Sequence, residues 1–102
     1  MVNRLNQGTI IKASGISFPL LIVSKNTINV LNQGVITCPI VIDEVENALH
    51  LRVENEEISG LILCEHLRLI DLSERSYSVI SELPLSEIIN VTDAIQSIFD
   101  YI

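Results

Sequence analysis

A chain of 102 residues with 48% hydrophobic side chains and a formal net charge of −7 is long enough for one domain with a packed core and too short for two. Only 4% of its residues are aromatic, so the core is built from Ile, Leu and Val, side chains that suit pleated strands. Six Lys and Arg against thirteen Asp and Glu argue against a general coat for nucleic acid, because phosphate binding is driven by cations that release counterions. A small basic patch or a cationic protein partner stays open.

In chain order, Asn6-Gln7-Gly8 is a turn feeding a first strand at Thr9 to Ala13, with glycine supplying the permissive backbone. Ser14-Gly15 closes it, and Phe18 to Ser24 supplies the second strand with Pro19 near its start, where a missing N–H is tolerated. Lys25 to Gly34 is polar and Asn-rich, a loop or short helical turn. Val35 to Ile42 is a third strand whose Pro39 implies a bulge or an edge position. Ala48 to Val53 alternates apolar and polar residues, which predicts a half-buried strand with His50 facing solvent. Leu61 to Leu72 reads as one long, bent strand, and Tyr77 to Leu83 alternates again. The period then changes. Ile88, Val91, Ile95, Ile98 and Ile102 recur every three or four residues, the stripe of an amphipathic helix from about Ser86 to Tyr101. Strands in series closed by one helix indicate a mainly β domain over residues 1–102, a small barrel or curled sheet capped by a C-terminal helix.

Several chemistries find no support. Cys38 and Cys64 sit in apolar runs and read as reduced core thiols; no CxxC or Cys/His spacing suggests zinc, and neither metal nor cofactor is expected. No P-loop, GxSxG or HExxH occurs. The N-terminus lacks a secretory signal, and the longest apolar run, Ile16 to Val23, falls far short of the roughly 20 residues that cross a bilayer. The expected location is cytoplasmic. Among the histidines, His66 lies between Glu65 and Arg68; an imidazole beside a carboxylate and a guanidinium suits general acid–base work near neutral pH. Glu65, Arg68, Asp71 and Arg75 form a mixed-charge cluster, read as a solvated face or a protein interface.

Four runs in fixed order, Gly8 to Ile11, Phe18 to Ser24, Cys38 to Ile40 and Gly60 to Asp71, resemble the MazF/PemK toxins of type II toxin–antitoxin systems over nearly the whole chain. The resemblance implies an SH3-like, CcdB/MazF-type barrel or curled antiparallel sheet that forms a homodimer, binds a cognate antitoxin and cleaves single-stranded RNA. It also implies where the chain departs from the family. Phe18 stands where the family keeps an Arg that stabilises the phosphate transition state, and Val41 where it keeps an assisting Thr. The loop between the first two strands is cut to Ser14-Gly15-Ile16-Ser17, and His66 replaces a Gln. An active chain would need relocated groups: His66 as acid or base, Arg68 or Lys12 as electrostatic clamp, and Ser14, Ser17 or Thr37 as hydrogen-bond donors to RNA. The related CcdB gyrase poisons give the alternative, a non-catalytic toxin or antitoxin-binding relative. There the terminal Phe99, Tyr101 and Ile102 would contact gyrase.

Overall fold

The computed structural model describes residues 5–32 and 34–99. In chain order its elements are β1 (Thr9–Ala13), β2 (Leu20–Ile22), α1 (Asn26–Asn32), β3 (Gly34–Val41), β4 (His50–Glu54), β5 (Ser59–Leu63), β6 (Arg68–Asp71), a 3-10 turn (Leu72–Glu74), β7 (Tyr77–Glu82) and α2 (Leu85–Ser97). The expected architecture is present: antiparallel strands curled into one sheet, closed by the C-terminal helix. Strand order is β4-β5-β3-β2-β1-β7, with β6 also pairing β3.

β3 is the spine of this sheet. One side of it pairs with β2 from Thr37 to Pro39. Its other side is shared: Gly34 to Thr37 pair with β6, and Ile40 and Val41 pair with β5. The expected long strand from Leu61 to Leu72 is therefore two strands, broken by a turn in which the His66 amide donates to the Leu63 carbonyl at 3.1 Å. The break also corrects the reading of Pro39. This proline lies in a central strand, not at an edge. Ile40 donates its N–H to Pro19 on the β2 side, so the nitrogen of Pro39 faces the opposite side, where β6 has ended and β5 has not begun. A residue without an N–H costs no ladder bond there.

The curl buries both faces of the sheet. Alternate residues divide between two clusters: Ile10, Leu21, Cys38 and Ile40 on one face, and Ile11, Leu20, Ile22 and Val35 on the other. Val91 of α2 inserts into the first cluster, flanked by Ile88, Ala94 and Ile95; a fully buried side chain of this size contributes about 1.5–3 kcal/mol. A bulge at Ile80, the extra residue opposite Ile10 and Ile11, breaks the alternation expected of β7 and lets Ile80 and Leu83 reach the same cluster. Gly8 adopts φ +97°, a conformation that side chains with a Cβ rarely enter, and a Cβ there would also crowd the Ile88 side chain, so the turn before β1 calls for glycine.

α1 is tied down by polar groups. The Ser24 hydroxyl donates to Asn29 Oδ1, and Asn29 Nδ2 donates to the Ser24 carbonyl at 3.2 Å and to Leu5 at 3.5 Å. Ser24 Oγ in turn accepts from the Ile36 amide of β3 at 3.0 Å. Asn29 is buried, so Asn29→Ala strands the Ser24 groups away from water. The expected cost is about 1–3 kcal/mol, measurable as a lower urea midpoint with an unchanged slope.

Candidate functional site

Two adjoining grooves open on either side of Phe18. The first, of 410 Å³, runs between the short loop ahead of β2 (Ser17, Phe18, Pro19) and the end of β3 with the residues that follow it (Ile40 to Glu44), closed by Ser59 and Leu63 of β5. The second, of 510 Å³, is lined by Phe18, Leu20, Thr37, Pro39 and the segment Glu65 to Arg68. The break between β5 and β6 creates this second groove, because the connecting turn projects Glu65 and His66 beside the face of β2 and β3.

The groups proposed for chemistry are not all brought together. His66 and Arg68 share the second groove, and the His66 ring is 57% exposed with Nε2 3.7 Å from Glu65 Oε2. Lys12 lies on the outward face of β1 across from Ser78 of β7 and lines neither groove. Ser17 lines the first groove. Ser14 serves through its backbone, its carbonyl accepting from Arg75 Nη1 at 2.7 Å. Thr37 is fully buried, and its hydroxyl donates to the Arg68 carbonyl at 3.1 Å. It therefore stands in the wall of the second groove with its hydroxyl proton committed to the start of β6, and through it to Arg68. Phe99 is exposed beyond the end of α2, while Tyr101 and Ile102 lie outside the described residues. The mixed-charge cluster disperses: Arg75 holds the Ser14 turn, Asp71 accepts from the Ser73 amide and hydroxyl, and Glu65 turns to His50. Those two Ser73 contacts, side chain first, hold the Asp71 carboxyl below its usual range.

His50 is the residue that alternation misplaced. Its side chain is only 12% exposed, because the segment after β3 folds over it. Nε2 lies 2.7 Å from Glu65 Oε2 and Nδ1 lies 2.9 Å from the Val45 carbonyl. Both ring nitrogens thus face acceptors, which favours the doubly protonated ring, while Asn47 Nδ2, 3.3 Å from Nδ1, can serve the neutral one. The hydrogen bond to Glu65, then that to Val45, raises the His50 pKa against the opposing effect of burial. For Glu65, burial pushes the carboxyl up, but the bonds from His50 and from its own amide, with the charges of His50 and His66, outweigh it and leave the pKa lowered. One signal was available in the sequence: His50 and Glu65 stand at nearly matching distances on either side of the Asn55–Ile58 turn, which the β4–β5 hairpin folds together.

The pair gives a signed expectation for stability. The His50 contribution is complete below its ordinary value of 6.5 and is lost as pH rises through the raised folded value. The Glu65 contribution is present above its ordinary 4.5 and is lost as pH falls through the lowered one. His50→Gln is therefore expected to lower Tm most between pH 4.5 and 6.5 and least in alkali. A Tm difference that stays flat across thermal scans at these pH values would refute the assignment.

Beneath the turn, Cys38 and Cys64 are buried free thiols, pushed up to about 12 and about 11 by burial, with further upward contributions from Cys64 on Cys38 and from Glu65 on both. Thiols held this far from ionisation make poor nucleophiles. Among the described residues no group of three or more His, Cys, Asp or Glu is placed to hold a metal ion.

Comparison with known proteins adds the lineage. Residues 12–99 match the family described as PemK-like, MazF-like toxin of type II toxin–antitoxin system. Among solved structures, a MazE–MazF complex from Deinococcus radiodurans superposes with a TM-score of 0.82 at 19% identity, covering 92% of this chain and 94% of that one. A mycobacterial endoribonuclease in complex with its cognate antitoxin gives 0.81 at 13% identity, covering 96% and 99%. The Mycobacterium tuberculosis toxin MazF-mt6 gives 0.73 at 18% identity, covering 92% and 99%. At such identities these are likenesses of fold. No curated protein sequence matches the chain significantly.

Proposed function

The chain belongs to the PemK-like, MazF-like toxins of type II toxin–antitoxin systems, and from that membership we propose that it inhibits growth by cleaving single-stranded RNA in the groove beside Phe18. One observation carries the reading: the turn between β5 and β6 sets His66 and Arg68 into a single groove with the Glu65 carboxylate behind the imidazole. These are the parts needed for transesterification. With Nε2 turned to Glu65, the other ring nitrogen of His66 is left to take the 2′-hydroxyl proton. The 2′-oxygen bonds to phosphorus, the bond to the 5′-oxygen breaks with its electron pair, that oxygen takes a proton from water, and His66 returns its proton to the hydroxide left behind. The products are a 2′,3′-cyclic phosphate and a 5′-hydroxyl end. Arg68 meets the charge that builds on the phosphoryl oxygens, and Phe18 offers a face for a base to stack on. In this reading the site replaces the family's Arg and Thr, whose places hold Phe18 and Val41. The chain works as a homodimer in the cytoplasm and is neutralised by a cognate antitoxin. Among the described residues no helix is long and apolar enough to cross a membrane.

A second reading is favoured by the first groove, where Asp43 and Glu44 stand with the apolar Phe18, Val41 and Ile42 and repel a phosphate chain. There the same scaffold inhibits a protein target, such as gyrase, through α2 and the residues after it, or only sequesters antitoxin. Mapping RNA 5′ ends in bacteria after brief induction separates these. New ends at one short sequence, absent with His66→Ala, support the ribonuclease. Growth arrest without new ends supports a protein target, and neither arrest nor ends leaves antitoxin binding alone.

A further inference from the structure

A third groove lies away from Phe18, between α2 and β4, with a volume of 500 Å³. Its floor is apolar, made by Leu51, Ile62, Val91 and Ala94. One bank is the α2 face that carries Glu87 and Asp93, neither of which forms an ion pair among the described residues. On the other bank Arg52 is already neutralised by Glu46, Nε to Oε1 at 3.2 Å. The free charge on the rim is therefore negative, on a chain whose net charge is −7.

The groove reaches an open sheet edge. Among the described residues β4 ends the strand order and pairs only with β5. Leu49 accepts from the Cys64 amide, and Asn55 donates to Ile58, so the odd-numbered residues of β4 point their backbone groups at β5 and the even-numbered ones point outward. The outward groups of His50 are taken by Asn47, at 3.2 and 3.3 Å. Those of Arg52 and Glu54 find no backbone partner among the described residues, an N–H and a carbonyl on each, the template on which another strand pairs.

We propose that this groove and the β4 edge take an extended polypeptide segment of a protein partner, one that carries a small aliphatic side chain between basic ones. The backbone of the segment pairs with Arg52 and Glu54, its aliphatic side chain covers Leu51 and Val91, and its cations meet Glu87 and Asp93. The dimensions agree. From Glu87 to Ser97 the helix runs about 15 Å, which spans about four or five extended residues. Strand addition of this kind takes affinity from main-chain bonds and selectivity from alternate side chains. The inference requires no RNA chemistry and goes beyond the reading given for the other two grooves.

The test uses the full chain and a fluorescein-labelled peptide, Lys-Arg-Val-Lys-Val-Arg-Lys with capped ends, with hydrogen exchange followed by NMR. Binding should protect the amides of Arg52 and Glu54 while those of Leu51 and Val53, already paired with β5, change little. Glu87→Gln with Asp93→Asn, both at exposed positions, should weaken binding by about five- to tenfold with an unchanged circular dichroism spectrum. Added salt should act in the same direction. Failure to bind at millimolar peptide, or binding that ignores both the charge change and the two amides, overturns the proposal. So does protection of these amides by a second copy of the chain when protein concentration alone is raised.

Discussion

Replacing His66 with alanine is expected to lower RNA cleavage by about 10²–10⁴-fold, the usual worth of a positioned proton acceptor, and to change stability by no more than about 0.5 kcal/mol. The second half follows from exposure: the ring stands 57% in solvent, with Glu65 at 3.7 Å as its ion-pair contact. The first half rests on the groove containing one imidazole that a substrate can reach, since His50 is covered and spends both nitrogens on Val45 and Glu65. Glu65→Gln is the informative companion. It keeps the shape of the site, removes the charge behind His66 and frees His50, so it should lower both cleavage and Tm. The assay is cleavage of a defined single-stranded RNA by purified protein, with ends resolved on a gel. Equal rates for the parent chain and His66→Ala would remove this residue from the chemistry.

Gly60→Ala is the second large effect, and it falls on stability. Gly60 adjoins the Leu61–Val41 pair at which β5 meets β3, and a Cβ there would lie 2.9 Å from both Ile40 Cγ2 and the Val41 carbonyl oxygen. A methyl side chain can rotate away, but a backbone carbonyl in a strand moves only with its strand. The β3–β5 ladder has just two registered pairs, Ile40 with Ile62 and Val41 with Leu61, so little else resists the separation. Overpacking of this kind costs about 1–3 kcal/mol, and in a domain of this size each kcal/mol lowers Tm by about 4–8 °C. Calorimetry checks it directly. A variant that melts with the parent chain would mean that the two strands have slack to share.

Much of this architecture was legible because its causes are local. The shift from a two-residue to a three- or four-residue apolar period marks where strands give way to α2, and the β-branched run at Val35 to Val41 marks a strand, though Pro39 hid its central place. What stayed hidden depends on partners far along the chain. Leu61, Leu63, Leu67 and Leu69 keep one alternating phase in which Glu65 and His66 are the interruption, and no Gly or Pro marks a turn there; the break exists because β3 is shared between β5 and β6. Alternation assigned His50 an outward face, but the Val45–Asn47 segment and Glu65 cover that face. Thr37 looked available for recognition as a hydroxyl in an apolar strand. Only the β3–β6 register reveals that the Arg68 carbonyl already claims it. The departures at Phe18 and Val41 were readable from the resemblance, whereas the grooves they line were not.

The handover on β3 has a consequence for how such a protein can change over generations. The loop that carries Glu65 and His66 bridges two ladders that end independently of each other. A residue gained or lost there leaves the pairing of Ile40 with Ile62 and of Thr37 with Arg68 in place, and loop length is lightly penalised in folding. New side chains can thus be tried above the groove while the sheet keeps its register. The same scaffold can exchange one constellation of reactive groups for another without first losing its shape.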